Sequence, residues 1–495
     1  MINIKKMLSL LLAALMLSAA AACGESAENK PAASTTAAQD VDVDDAETES
    51  EFSEYASTYL KFDDPQVPDD TYGGRKFVII RPGSKEPPQE ETGDVVDDAV
   101  YKSQRAVEER LEIDIDYVMV SSIADIQPAL KKAVMAGDSS YDVAVNHSIE
   151  SIPNLLKDRL VHDWNHVPNV NFSQPYWNQS LNSTLSVKGI LPIACGNYFI
   201  SSPMCIFFNK QIQKDYGVED LYGAVNEGVW TLDRFVSDSK LVSADLNSDG
   251  VYGVEDLYGF VGMSDYQFMG FLAGCDQFVV EKDEEDFPTV AVDNEKTFNI
   301  FTKLHDLIYG TTCAKVWAYG TDESTHVKFT DNHALFEIEG GLGTAQTYRS
   351  METDFGIIPC PKYDEGQADY MSFELGSFLM VPVTVSDIGL SGTVCELLNA
   401  ENRRNMLPVY VDKMLVSKAA RDNESESMIY LILDSIVYDF GVNLGQYNAL
   451  SYVLGFSLRE DTSDFASYVS KQLKSANKHY SKVYEYYLGY EDMYG

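Results

Sequence analysis

The sequence predicts an α/β protein built as two lobes. Short apolar runs alternate with helical spacing between Gly73 and Val145, a helix-rich middle follows, and a strand pattern reappears at residues 334–339. Strands alternating with helices imply a mostly parallel sheet flanked by helices. A chain that leaves one sheet, builds a second body and returns makes a cleft between the two.

The first residues read as a secretion signal. Lys5 and Lys6 precede an apolar stretch that ends in Ala20-Ala21-Ala22-Cys23, too short for a membrane span. A small-residue run before a cysteine resembles the bacterial lipobox, which implies lipid on Cys23 and a place on the outer face of the cell membrane. Ala20 stands where that motif usually has leucine, and Ala20-x-Ala22 also suits ordinary cleavage, which leaves a free protein. Residues 1–22 are therefore expected to be a signal peptide. Residues 23–60, rich in Ala, Ser, Thr and acids, are expected to be a disordered acidic tether.

The body that follows has about 440 residues, enough for two or three domains with cores of their own. A net charge of −40 opposes binding to nucleic acid or to an anionic membrane surface. Besides Cys23 the six cysteines (195, 205, 275, 313, 360 and 395) are scattered without a C-x-x-C pair. Small buried residues are expected there rather than a zinc site or a disulfide framework, with a single bridge left open.

In chain order, residues 76–80 read as an apolar strand closed by Arg81-Pro82-Gly83, and 95–111 as an amphipathic helix. Residues 113–120 alternate as a strand, 126–135 return to helix, and 141–145 form a buried strand. Ligands of such sheets sit at carboxyl ends of strands, which points to Arg81-Pro82-Gly83 and Asn146-His147-Ser148. Helices are expected at 231–242 and 295–308, strands at 334–339 and 378–381, and mostly helix beyond. The tyrosines of residues 480–494 are expected to pack.

Several segments, in order, are similar to the extracellular solute-binding proteins that feed carbohydrate ABC importers. They include Glu91 to Ala99, Arg105 to Leu111, Ala136 to Asp142, Pro175-Tyr-Trp-Asn178, Val187-Lys-Gly-Ile190, Phe207-Phe-Asn-Lys210, Gly228-Val-Trp-Thr231, Phe355-Gly-Ile-Ile-Pro359 and Arg421 to Ser425. The resemblance implies a two-lobed periplasmic-binding-protein-like fold of type II, with a solute gripped between lobes and closure sensed by a membrane permease. Residues 61–200 with 336–374 are expected as lobe 1, and 201–335 with 375–495 as lobe 2. Hinge crossings are expected near residues 197–205, 330–336 and 372–377. A monomer without catalytic activity is implied.

The sharpest local motif is Asp245-x-Asn247-x-Asp249-Gly250, followed by Asp256. A calcium loop places oxygen ligands at positions 1, 3, 5 and 12, a backbone carbonyl at 7 and glycine at 6; Val251 supplies the carbonyl. Asp256 in place of glutamate and Gly253 at position 9 imply weak affinity, and an Asx-rich turn without metal is the alternative. The string Gly-Val-Glu-Asp-Leu-Tyr-Gly occurs at 217–223 and 253–259, but only the second copy follows the Asp/Asn ladder.

Sugars need aromatic faces for their C–H side and polar groups for their hydroxyls. Candidates near expected strand ends are Tyr176, Trp177, Tyr198, Trp317 and Tyr319 for the faces, and Asn146, His147, Asp265 and Glu339 for the hydroxyls. Each aromatic has a core reading as well. Gly340-Gly341-Leu342-Gly343 lacks the last glycine of a nucleotide loop and reads as a tight turn at the cleft. His162 and His166 have no third ligand for zinc. The rival readings are a secreted polysaccharide hydrolase, which needs two carboxylates across a cleft, and a receptor that serves sensing rather than import.

Overall fold

The computed structural model describes residues 59–83, 86–148, 152–318, 320–322, 326–415, 423–446 and 450–494. Strand β1 (Arg75–Pro82) leads to helix α1 (Val95–Leu111), strand β2 (Ile113–Val120), helix α2 (Ile126–Ala136), strand β3 (Val143–His147) and helices α3 (Ile152–Asp158) and α4 (Gln179–Leu185). The α1 boundaries are written in the sequence. Asp94 caps the start by accepting from the amides of Val96 and Asp97, Asp97 and Asp98 complement the dipole, and Glu112 ends the helix in a left-handed conformation. The next stretch holds β4 (Cys205–Asn209), α5 (Leu232–Ser239), β5 (Ser243–Ala244), β6 (Leu257–Met263), the hairpin of β7 (Val280–Lys282) and β8 (Pro288–Val290), α6 (Glu295–Tyr309), β9 (Ala314–Trp317), β10 (Ala334–Ile338) and β11 (Phe355–Pro359). The last part holds β12 (Ser372–Phe373), β13 (Ser377–Met380), α7 (Ile388–Leu415), α8 (Asn423–Asp434), β14 (Ile436–Val437) and α9 (Phe465–Leu488).

Two main sheets form. The first runs β13-β3-β1-β2, parallel except where β13 meets β3. Its faces are both covered: Phe77 and Ile79 of β1 pack with Leu390, Val394 and Leu398 of α7, while Ile80 packs with Ile126 and Leu130 of α2 in another core. The second runs β11-β4-β10-β6-β5, with β9 also on β6. It is mixed rather than mostly parallel, because β4 runs against both β10 and β11, and β5 runs against β6.

Sheet pairing corrects the expected division of the chain. Strand β10 pairs with β4 and β6, and β11 with β4, so residues 334–359 belong to the second sheet instead of rejoining the first. Strand β13 pairs with β3, and α7 packs along α1, so the first lobe regains the chain only after residue 376. The chain passes between bodies near residues 197–205 and 372–377, as expected, but 330–336 connects two strands of one sheet. A strand buried on both faces, as Ala334–Ile338 is along its whole length, reads alike in any sheet, so its composition could not name its neighbour.

The C-terminal helix spans both bodies. Phe465 stacks on Phe301 of α6 at 4.3 Å, while the Tyr487 hydroxyl donates to the carbonyl of Leu185 at the end of α4. Beyond it, Tyr494 meets His162 and stacks on His166. The terminal tyrosines therefore pack, and these two histidines serve that packing. All six described cysteines are buried and unpaired.

Tyr176 and Trp177, candidates for sugar contact, lie in the core of the first lobe. Their side chains donate to the two oxygens of Glu396, at 2.5 and 2.7 Å, and the Asn171 amide donates to the same carboxylate. Glu396 is itself buried, which raises its pKa against the pull of these donors. Glu396→Ala is expected to leave three donors without their acceptor, at about 1–3 kcal/mol per buried group. Urea unfolding should show a loss of several kcal/mol, with Glu396→Gln milder; an unchanged midpoint would overturn this role.

Candidate functional site

The carboxyl ends of parallel strands from both sheets meet at one place. Strand β3 ends at His147, β6 is followed by Tyr266 and β10 by Gly340, and all three residues line a cavity of about 230 Å³. Its remaining wall comes from segments that pass between the bodies, including Ser201, Ser202, Glu374 and Tyr438. A second cavity of about 390 Å³ adjoins it, shares Cys195, Phe199, Ile200 and Ser201, and extends towards Arg403 and Asp434.

Tight backbone contact shapes this region. The amide of Leu342 donates to the Pro203 carbonyl, and the Ser202 hydroxyl contacts both the Gly340 carbonyl and the Gly343 amide. Gly341 adopts φ +73°, and a Cβ there would fall 2.3 Å from the Ser202 carbonyl oxygen, so glycine is required on both counts. The turn after β10 is thus pressed onto the crossing, as its glycines suggested.

Glu374 sits at the floor. Its Oε1 accepts from the Ser202 amide at 2.8 Å and its Oε2 from the Tyr438 hydroxyl at 3.2 Å. Burial is the main cause that pushes its carboxyl up to about 7, against these hydrogen bonds. Burial also lowers the His147 imidazole, favouring its neutral form.

Of the residues singled out in the sequence, His147 lines the smaller cavity, and Tyr176 and Trp177 border the larger one from the core. Asn146 is fully buried within β3, opposite Phe378. Tyr198 turns its hydroxyl into a buried position beside Arg81 and Tyr117. Asp265 lies 3.6 Å from Arg459, next to the lining residue Tyr266. Trp317 is buried at the end of β9 and stacks on His326. Glu339 adjoins Gly340, whereas Glu337, two residues back within β10, is buried and accepts from the Tyr348 hydroxyl. Tyr319 and Cys23 lie outside the described residues. Glu374, Tyr266, Phe199 and Tyr438 were missed, and no motif marks them; Phe199 and Glu374 lie within the expected crossings at 197–205 and 372–377 and Tyr266 follows Asp265, whereas nothing in the sequence pointed to Tyr438.

In the loop of residues 245–256, carboxylates and amide oxygens cap the backbone. Asp245 accepts from the Gly250 amide, Asn247 from Asp249, Asp249 from Val251, and Asp256 from both Leu246 and Gly253. Among the described residues, no three of His, Cys, Asp and Glu converge as a metal cluster. One oxygen stands apart: Asp245 Oδ1 is buried and has no hydrogen-bond partner.

No protein-family model matches the chain, and no curated protein matches its sequence. Solved structures do. The cyclic α-maltosyl-1,6-maltose binding protein from Arthrobacter globiformis aligns with 83% of this chain and 99% of its own at 13% identity and a TM-score of 0.57. UspC of M. tuberculosis aligns with 81% and 100% at 13% identity and 0.56. The galacto-N-biose/lacto-N-biose I-binding protein of a Bifidobacterium longum ABC transporter, in complex with lacto-N-biose, aligns with 82% and 99% at 14% identity and 0.53. Identities this low speak to fold, and the chain has the two-lobed α/β fold of these solute-binding proteins.

Proposed function

We propose that this protein is the solute-capturing receptor of an ABC importer, holding a sugar or oligosaccharide between its lobes and signalling occupancy to permease subunits by hinge closure. One observation carries the reading. The smaller cavity is lined from the strand ends of both sheets and from the segments joining them, so a solute there touches both bodies and the hinge at once. The fold neighbours support the solute class, since the Bifidobacterium protein is a sugar receptor of such a transporter. The lining chemistry agrees: Phe199, Tyr266 and Tyr438 offer apolar faces, and His147, Ser201 and Glu374 offer polar atoms. The role is binding, not catalysis.

The receptor reading includes export and attachment through lipid on Cys23, with a monomeric body held near the membrane. Among the described residues no helix is long and apolar enough to cross a membrane. Residues 245–256 are proposed to hold a structural calcium ion through Asp245, Asn247, Asp249, Asp256 and the Val251 carbonyl. The buried, unpartnered Asp245 Oδ1 supports this, and a carboxylate oxygen that accepts one amide keeps a lone pair for a cation.

Calorimetry against neutral oligosaccharides is expected to find a binder. His147→Ala should weaken it by roughly tenfold, about 1.4 kcal/mol, without unfolding the protein; binding only to peptides or other solutes would sink the sugar class, and glycan turnover would restore the hydrolase. Millimolar calcium is expected to raise the melting temperature over that in chelator, and Asp245→Ala to abolish the shift. Metal-free protein that melts identically in both would remove the ion. Mass spectrometry of the mature N-terminus is expected to show lipidated Cys23, and an unmodified terminus would indicate release.

A further inference from the structure

Glu374 lies where three stretches of chain that are remote in sequence come together. Its own backbone follows β12, which pairs in parallel with β14, and its amide donates to the Val437 carbonyl. Its carboxylate reaches sideways to the Ser202 amide on the first crossing and to the Tyr438 hydroxyl just after β14. Ser202 in turn holds the turn after β10 on the second body, while Gly376, two residues beyond Glu374, accepts from the Ser148 amide at the end of β3 on the first. One side chain thus links the chain segments between the bodies, and it also lines the cavity there.

The donors to this carboxylate are neutral. Among the described residues no salt bridge reaches Glu374, although it is only 8% exposed. The titratable groups around it are His147 at the end of β3, Cys195 before the first crossing, Tyr438 after β14, Tyr410 on α7 and Tyr59 ahead of β1, with Tyr266 after β6 on the same cavity; Arg403 of α7, in the adjoining cavity, gives its guanidinium to the carbonyls of Pro175 and Tyr59. Glu339 follows β10 on the second body, beside Gly340. Burial raises the Cys195 thiol and the hydroxyls of Tyr438, Tyr410 and Tyr59, and it lowers the His147 imidazole. All five of these are neutral near pH 7, so none supplies a positive charge to match an ionised Glu374.

We propose that Glu374 is a positioning residue of the hinge whose charge state sets the balance between closed and open cleft, the neutral acid favouring the closed form and the carboxylate the open, hydrated one. The proposal rests on reading the crossing segments as a hinge, and its test needs no solute. Physically, an unmatched carboxylate beneath a closing cleft loses water without gaining a cation, while the neutral acid loses little. The carboxyl is pushed up to about 7, which puts the change in the neutral range. The folded protein therefore holds a proton that the unfolded chain releases at the ordinary carboxylate pKa. This contribution is complete in acid, falls as pH rises from roughly 4.5 to 7, and is gone above that.

Glu374→Gln keeps the shape and removes the charge. Melting curves and small-angle scattering of both proteins from pH 5 to 8.5, without solute, test the proposal. The variant is expected to melt up to about 3 °C above wild type at pH 8 and to converge with it near pH 5. The wild-type radius of gyration should rise between pH 6 and 8 while that of the variant stays at the low-pH value. Other buried acids titrate in both proteins and cancel in the difference. An offset that is the same at every pH, or an expansion retained by the variant, overturns the proposal. A failed sugar screen leaves these measurements unaffected and bears only on the receptor reading.

Discussion

The structure depends on satisfying the backbone of chain segments that run, largely buried, between two bodies. A buried segment with unpaired amides costs more than its side chains return, so each crossing needs partners. Here they are supplied crosswise. The Met204 amide donates to the Phe373 carbonyl, Ser372 and Phe373 pair with Ile436 and Val437, the Leu342 amide donates to Pro203, and Ser202 reaches Glu374. Once these bonds are made, the carboxyl ends of β3, β6 and β10 are brought to one place, and the cavity follows from their meeting.

The bodies are tied a second time away from the crossings. The β7–β8 hairpin sends Lys282 to the carbonyls of Ser183 and Ser186, and Lys188 pairs with Glu285. Helix α9 adds the Tyr487 bond to Leu185. These ties differ in kind from the crossing. The Lys188–Glu285 pair is exposed on its acidic side, where an ion pair contributes little, and Lys282, though half-buried, is a single flexible side chain on a short hairpin. Relative movement of the bodies therefore meets its main resistance at the knot of Ser202, Glu374 and Tyr438, and along the buried length of α9.

Much of the first lobe was legible because its signals are local. Strands β1 and β3 are built on short apolar runs, β2 alternates apolar and polar residues, and Asp94 announces α1 one residue ahead of it. The Asx ladder at 245–256 likewise reads directly into the turns that form. What escaped depends on partners remote in sequence. Strands β10 and β13 carry similar apolar runs, and their exchange between sheets is decided by which surface each meets. Tyr176 and Trp177 look like sugar platforms until Glu396, some 220 residues on, takes both of their donors. Glu374 is one acid among 77 acidic residues, and nothing in its neighbourhood of sequence announces a hinge.

Four buried acids show a common construction. Glu396 gathers Asn171, Tyr176 and Trp177; Asp439 holds the amides of Val279, Gly441 and Val442; Glu337 takes Tyr348; and Glu374 takes Ser202 and Tyr438. In each case amides, hydroxyls or an indole do the donating, and burial raises the carboxyl, Asp439 to about 6 and Glu374 to about 7. Hydrogen bonds to a charged group contribute about 1.5–3 kcal/mol each, so such acids join distant segments firmly while remaining only partly compensated for lost water. For Glu396 that cost is fixed, because a packed core does not reopen. Glu374 alone of the four lines the cavity between the bodies, where the amount of water at the carboxylate changes with the width of the cleft. The same chemistry that serves as a static cross-link in the core therefore becomes, at the hinge, a group whose hydration and whose charge depend on how far the lobes have closed.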